Sequence, residues 1–114
     1  MITVQRDIYQ RGKKIKMKDI VNKLATMHIN GEDKTFTVAD MLKDCVNVIP
    51  KEGLSPDDIG KRLRVLKVVN QAKDEQLTTL SFEDADFKTA CDCVKQMRWA
   101  VIDPFIIEFC DLFK

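Results

Sequence analysis

The chain has 114 residues, with 19 basic and 18 acidic side chains for a net charge of +1, and 45% of its residues are hydrophobic. This length fits one domain, and the apolar content suffices for a core without a disulfide or metal staple. No apolar run approaches the length of a membrane span. The first fourteen residues hold Arg6, Asp7, Arg11, Lys13 and Lys14 in place of a secretory h-region.

Residues 1–18 stand apart. Ile2, Val4 and Ile8-Tyr9 alternate weakly with polar residues, and Gly12 is followed by Lys13-Lys14-Ile15-Lys16-Met17-Lys18. Six basic residues (Arg6, Arg11, Lys13, Lys14, Lys16, Lys18) face one acid, so this basic N-terminal arm carries +5 and residues 19–114 carry −4. The remaining 96 residues read as a single helical domain.

From Lys18 to Met27 the spacing of Ile20, Val21, Leu24 and Met27 has a helical period. The alternative is extended structure, because Asn30-Gly31 is a strong turn signal. On that reading Ala25–Ile29 pairs with Lys34–Val38 as a hairpin. Thr37-Val38-Ala39-Asp40 then marks a helix start, with the Thr hydroxyl accepting a free N–H and Asp40 reaching back to the cap. Val38, Met41, Leu42, Cys45 and Val46 fall on its inner stripe, and the helix stops before Pro50.

Ser55-Pro56-Asp57-Asp58 opens a second helix, with a capping Ser, Pro at the first position and acids in the first turn. Ile59, Leu63, Leu66 and Val69 mark its expected apolar face, with Lys61, Arg64 and Lys67 opposite. Ser81-Phe82-Glu83-Asp84 reads as a third start, followed by a stripe of Phe87, Ala90, Cys91, Val94 and Met97. Asp103-Pro104 begins a fourth helix, with Ile106, Phe109, Cys110 and Phe113 facing inward. Trp99, in the linker before it, is expected to pack over the core.

Cys45, Cys91, Cys93 and Cys110 lie in apolar surroundings and behave as small hydrophobes. A reducing, cytoplasmic compartment is expected; in an oxidising one, four cysteines would allow three disulfide connectivities. The Cys91–Cys93 pair lacks C-x-x-C spacing, and residues two apart on a helix point about 200° away from each other. One core thiol and one half-exposed thiol are expected there, and no metal site.

His28, the lone histidine, has no nucleophile motif around it. The acid pairs Asp57-Asp58 and Glu83-Asp84 sit in expected first turns, where the helix dipole accounts for them. Gly12, Gly31, Gly53 and Gly60 are scattered singly and make no phosphate cradle. No catalytic residue, cofactor or small-molecule substrate is expected.

The candidate contact residues are therefore Arg6, Arg11, Lys13, Lys14, Lys16 and Lys18 of the arm, with Lys61, Arg64 and Lys67 of the second helix, where Arg62 adds a further cation. They could meet a protein partner or neutralise nucleic-acid phosphates in a salt-dependent way. The gaps between helices are too long for a helix-turn-helix.

Three segments also carry a resemblance. They are Leu54-Ser55-x-x-Asp58-Ile59-x-Lys61-Arg62-Leu63, then Leu80-Ser81-Phe82-Glu83-Asp84-Ala85-Asp86-Phe87, and Met97-x-Trp99-Ala100 followed by Ile106-x-x-Phe109. With Thr37-Val38-Ala39-Asp40 in front, residues 36–113 resemble small helical proteins encoded by tailed bacteriophages and prophages. The resemblance implies a phage or prophage origin, a helical fold and a place in the bacterial host cytoplasm or the virion, and it brings no catalytic residues. Together these readings give a mainly α, compact domain of four helices, or five if residues 18–27 are helical, with a short N-terminal β-hairpin as the strand alternative. The expected role is a non-enzymatic interaction module that binds a virion or assembly component or itself; the alternative is a nucleic-acid-binding accessory protein acting through the arm.

Overall fold

The computed structural model describes residues 3–114. Two antiparallel hairpins come first, β1 (Thr3–Gln10) with β2 (Lys13–Val21) and β3 (Leu24–Ile29) with β4 (Glu32–Thr37). Then follow α1 (Val38–Asn47), α2 (Pro56–Asp74), β5 (Thr79–Glu83), α3 (Asp84–Gln96) and α4 (Pro104–Leu112). β5 returns to pair antiparallel with β2, giving a three-stranded sheet in the order β1-β2-β5, while β3-β4 stays a separate two-stranded sheet.

The fold is therefore α+β, which corrects the expected mainly α, four-helix domain. Residues 18–27, with their helical spacing, end β2 and begin β3. The side-chain period there is two on each strand: Ile20 is fully buried and Met27 is buried, each between outward neighbours. Lys18 to Val21 are held extended by Phe82 to Thr79 of β5, and the Asn22 N–H extends that ladder to the Thr78 carbonyl at 2.9 Å. Most of residues 1–18 likewise belong to a sheet; Ile2 lies outside the described residues.

The second hairpin follows the alternative reading closely. Ala25 pairs with Phe36 and Ile29 with Glu32 around Asn30-Gly31, whose φ values of 51° and 79° are those of a primed turn. Arg11-Gly12 turns the first hairpin in the same way, with φ of 53° and 75°.

Three helix starts are built as their sequences dictate. Thr37 and Asp40 form a complete capping box. Ser55 Oγ accepts from the Asp58 N–H, and Asp103 Oδ1 accepts from the Phe105 N–H. The start at Ser81 is displaced: Ser81 lies in β5 between the buried Leu80 and Phe82, and α3 begins after Glu83 without a side-chain cap. Alternation across five residues wins there because Leu80 and Phe82 both enter the core.

α2 also turns a different face inward. Arg62, Val65, Val69 and Ala72 are its buried residues, whereas Ile59 and Leu63 are exposed. α3 is covered on two sides, so Cys91 and Cys93 are both buried, at 7% and 3% exposure, in place of one buried and one half-exposed thiol. One core cluster joins Ile20, Leu80 and Phe82 of the sheet to the inner faces of the four helices. Its centre is aromatic: Phe113 lies 5.2 Å from Phe109 and 5.9 Å from Phe87, and Trp99 meets Phe109 edge-on at 5.7 Å.

Candidate functional site

The β1–β2 hairpin outreaches its support. β5 pairs with β2 only from Met17 to Val21, so Lys13–Lys16 and the facing residues Asp7–Gln10 pair with each other alone. Four residues at about 3.3 Å each put the turn roughly 13 Å beyond the end of β5. β1 leans almost wholly on β2, and its other edge is the open edge of the sheet.

The register assigns two faces. Gln5, Asp7 and Tyr9 lie on the side of Ile20, Lys18, Lys16 and Lys14, which is the core side where the sheet meets the helices. Val4, Arg6 and Ile8 lie on the outer side with Asp19, Met17, Ile15 and Val21. Val4 is 51% exposed and Tyr9 is 76% exposed, while Ile8, Ile15 and Met17 are partly covered. Ladder parity follows from the Asn22–Thr78 bond: even residues of β2 bond towards β5 and odd ones towards β1. The backbone groups of Gln5, Asp7 and Tyr9 therefore turn outward along the open edge.

Much of the arm's charge is engaged within the hairpin. Arg6 pairs with Asp19 and reaches Ser81 Oγ at 3.5 Å. Lys14 Nζ lies 3.2 Å from Asp7 Oδ2, and Lys18 Nζ donates to Gln5 Oε1 at 3.1 Å while lying 5.6 Å from the centre of the Phe87 ring. Arg11, Lys13 and Lys16 make no ion pair among the described residues; Arg11 and Lys13 stand at the turn, and Lys16 lies opposite Asp7 further back on the other face. Asp19 Oδ1 is buried and finds no hydrogen-bond donor among the described residues.

On α2, Lys61 pairs with Asp57 at 3.3 Å and Arg64 with the buried Asp86 at 3.1 Å. Lys67 is exposed. The hairpin cations and the α2 cations stay on separate elements. Arg62 is structural: its Nη1 donates to the Val46 and Val48 carbonyls at 2.8 and 2.7 Å, and its Nη2 donates to Gln96 Oε1 at 3.2 Å. α1 has no basic residue in its own last turn, so Arg62 supplies the cation and the donors that this helix end lacks.

A cleft of about 540 Å³ opens between the 50–54 loop, α2 and α3, with Lys61, Lys88, Asp58 and Asp92 on its walls. Charges of both signs line it, and the one thiol there, Cys93, is buried. Burial, reinforced by the neighbouring Cys110 and Cys93, pushes the Cys45 thiol up to about 12, and burial pushes Cys91 to about 11. Cys93 and Cys110 are raised by burial as well. Such thiols stay protonated at neutral pH, when they are poor nucleophiles. Among the described residues, no three His, Cys, Asp or Glu side chains are placed to hold a metal ion, and no helix is long and apolar enough to cross a membrane.

The open edge and the outer apolar face escaped the sequence reading. Their signal lay in Arg11-Gly12, a two-residue turn, and in the alternation of Ile15 and Met17 with Lys14, Lys16 and Lys18. No protein-family model, curated protein or solved structure matches the chain.

Proposed function

We propose that this chain is a non-enzymatic binding module whose contact element is the β1–β2 hairpin and whose partner is another protein. The observation that carries this reading is the division of labour on the hairpin: Arg6, Lys14 and Lys18 are engaged internally, while Val4 and Tyr9 are exposed and the outer edge of β1 pairs with no strand. Unprotected edges are templates for added strands, and proteins that do not use them usually blunt them. Under the phage resemblance, the partner would be a virion or assembly component.

A second reading, nucleic-acid binding, is favoured by one feature: Arg11, Lys13 and Lys16 lie along the overhanging end of a two-stranded ribbon, a shape that the major groove admits. Fluorescence-anisotropy titration with mixed-sequence duplex and single-stranded oligonucleotides, at low and high salt, separates the two. Weak binding that leaves the chain unsaturated at micromolar concentrations supports the protein reading. Tight, strongly salt-dependent binding that Arg11→Glu and Lys13→Glu abolish would replace it with the second.

A further inference from the structure

We infer that the open edge of β1 takes up an extended segment of another protein, apolar on one face and acidic at the end lying against the Arg11-Gly12 turn. This rests on the protein-binding reading above and specifies its partner. Three observations support it.

The edge is continuous. β1 runs for eight residues without proline, and the outward backbone groups of Gln5, Asp7 and Tyr9 offer an added strand its ladder bonds. The faces differ in chemistry. A strand laid against β1 would set alternate side chains on the outer face beside Val4, Arg6 and Ile8, with Ile15 and Met17 behind them. Those beside Val4 and Ile8 must be apolar to cover that surface. Finally, the field is polarised. Asp7 and Lys14 neutralise each other, and Arg6 is matched by Asp19, which leaves Arg11 and Lys13 at the turn, with Lys16 further back, to set the potential of the overhanging end. Acids at that end of the incoming strand would meet these cations.

A second copy fits the edge poorly. Two β1 strands paired about a two-fold axis place one residue opposite its own copy, and centring on Arg6 or Asp7 opposes like charges.

The test uses the full chain, ¹⁵N-labelled, and three end-capped synthetic peptides of about ten residues. One alternates Val or Ile with polar positions that are Glu towards one end. The second has Lys for every Glu. The third has the first one's composition with the alternation shuffled. Shifts confined to β1 and its neighbours, and binding of the acidic peptide about tenfold tighter than of the lysine peptide, support the inference. Asp7→Pro removes an outward N–H and no ladder bond to β2, and should weaken that binding at least about tenfold. If Asp7→Pro disturbs the hairpin, Lys16→Glu, which alters no backbone group, decides by the same measure.

Equal binding of the lysine or shuffled peptide would overturn the inference, as would shifts mapping to α2 or no binding at all. A dimer by light scattering that Asp7→Pro dissolves would assign the edge to a second copy. A mixed-sequence duplex that displaces the acidic peptide would overturn the protein-binding reading along with it, whereas loss of charge preference alone would overturn only the inference.

Discussion

Lys73 Nζ lies 2.8 Å from Oδ1 of Asp40, while Oδ2 of the same carboxylate accepts the Thr37 N–H at 3.0 Å. One side chain closes the capping box of α1 and ties that helix's start to the last turn of α2. Burial alone would raise the Asp40 carboxyl, but hydrogen bonding by Lys73 and Thr37 and the Lys73 charge hold it below its ordinary 3.8. The same contact raises Lys73 above 10.5.

A depressed carboxyl stabilises the fold fully above its unfolded value and loses that contribution as pH falls through the folded one. Asp40→Asn is therefore expected to lower stability by about 0.5–1 kcal/mol at neutral pH, with the gap closing below pH 3.8. For Lys73 the contribution is complete below 10.5 and fades as pH rises through its raised value. Urea unfolding midpoints of both proteins across this range check the prediction; a gap that persists unchanged in acid would refute it.

Arg6 and Lys14 both pair with acids on the hairpin, but only Arg6 answers a carboxylate that is largely buried. Asp19 Oδ1 already lacks a donor among the described residues, so Arg6→Ala would leave the other oxygen unsatisfied as well. The expected loss is about 1–3 kcal/mol. Lys14→Ala, which opens an exposed pair, should cost under about 1 kcal/mol. Denaturant midpoints of the two variants give the comparison, and an Arg6/Asp19 double variant should lose less than the two single changes added together.

Arg62 Nη1 bridges two carbonyls at the end of α1, and those acceptors are left without this cation if the guanidinium goes. Arg62→Met keeps the bulk and is expected to cost about 1–3 kcal/mol, because the carbonyls lose their donor. Arg62→Lys should recover only part of this, because an ammonium cannot reproduce the planar fork. Amide exchange of Val48 and its neighbours, read with the unfolding midpoint, would show the loop loosening in step with the loss.

Thiol labelling should be ordered by burial. Cys110 is the least buried thiol, while Cys45, Cys91 and Cys93 are all within the core. With a neutral-pH alkylating reagent and mass mapping, Cys110 is expected to react first and the other three only on unfolding. Early labelling of Cys45, whose thiol is pushed up to about 12, would contradict the packing of α1 against its neighbours.

Capping was legible in the sequence because it is local. Thr37 with Asp40, Ser55 before Pro56, and Asp103 before Pro104 each bond within three residues, and no distant partner is needed. The Asn30-Gly31 turn and the inner stripe of α1 were legible for the same reason. Ser81 misled because its Ser-x-x-Asp pattern is equally local, while Leu80 and Phe82 answer to a core assembled from elsewhere.

The sequence by itself determined where most helices start, where the second hairpin turns, and that residues 1–18 carry +5 against −4 for the rest. Tertiary structure decided what that charge does. β2 finds β5 across some sixty residues, and this long-range pairing makes a basic run into a ribbon with one open edge. Arg62 turns inward because the carbonyls of Val46 and Val48 arrive beside it, and Ile59 and Leu63 are left outside as a result. Hydrogen bonds between distant segments chose both outcomes, since buried carbonyls and strand edges must be satisfied by whatever donors the fold brings to them.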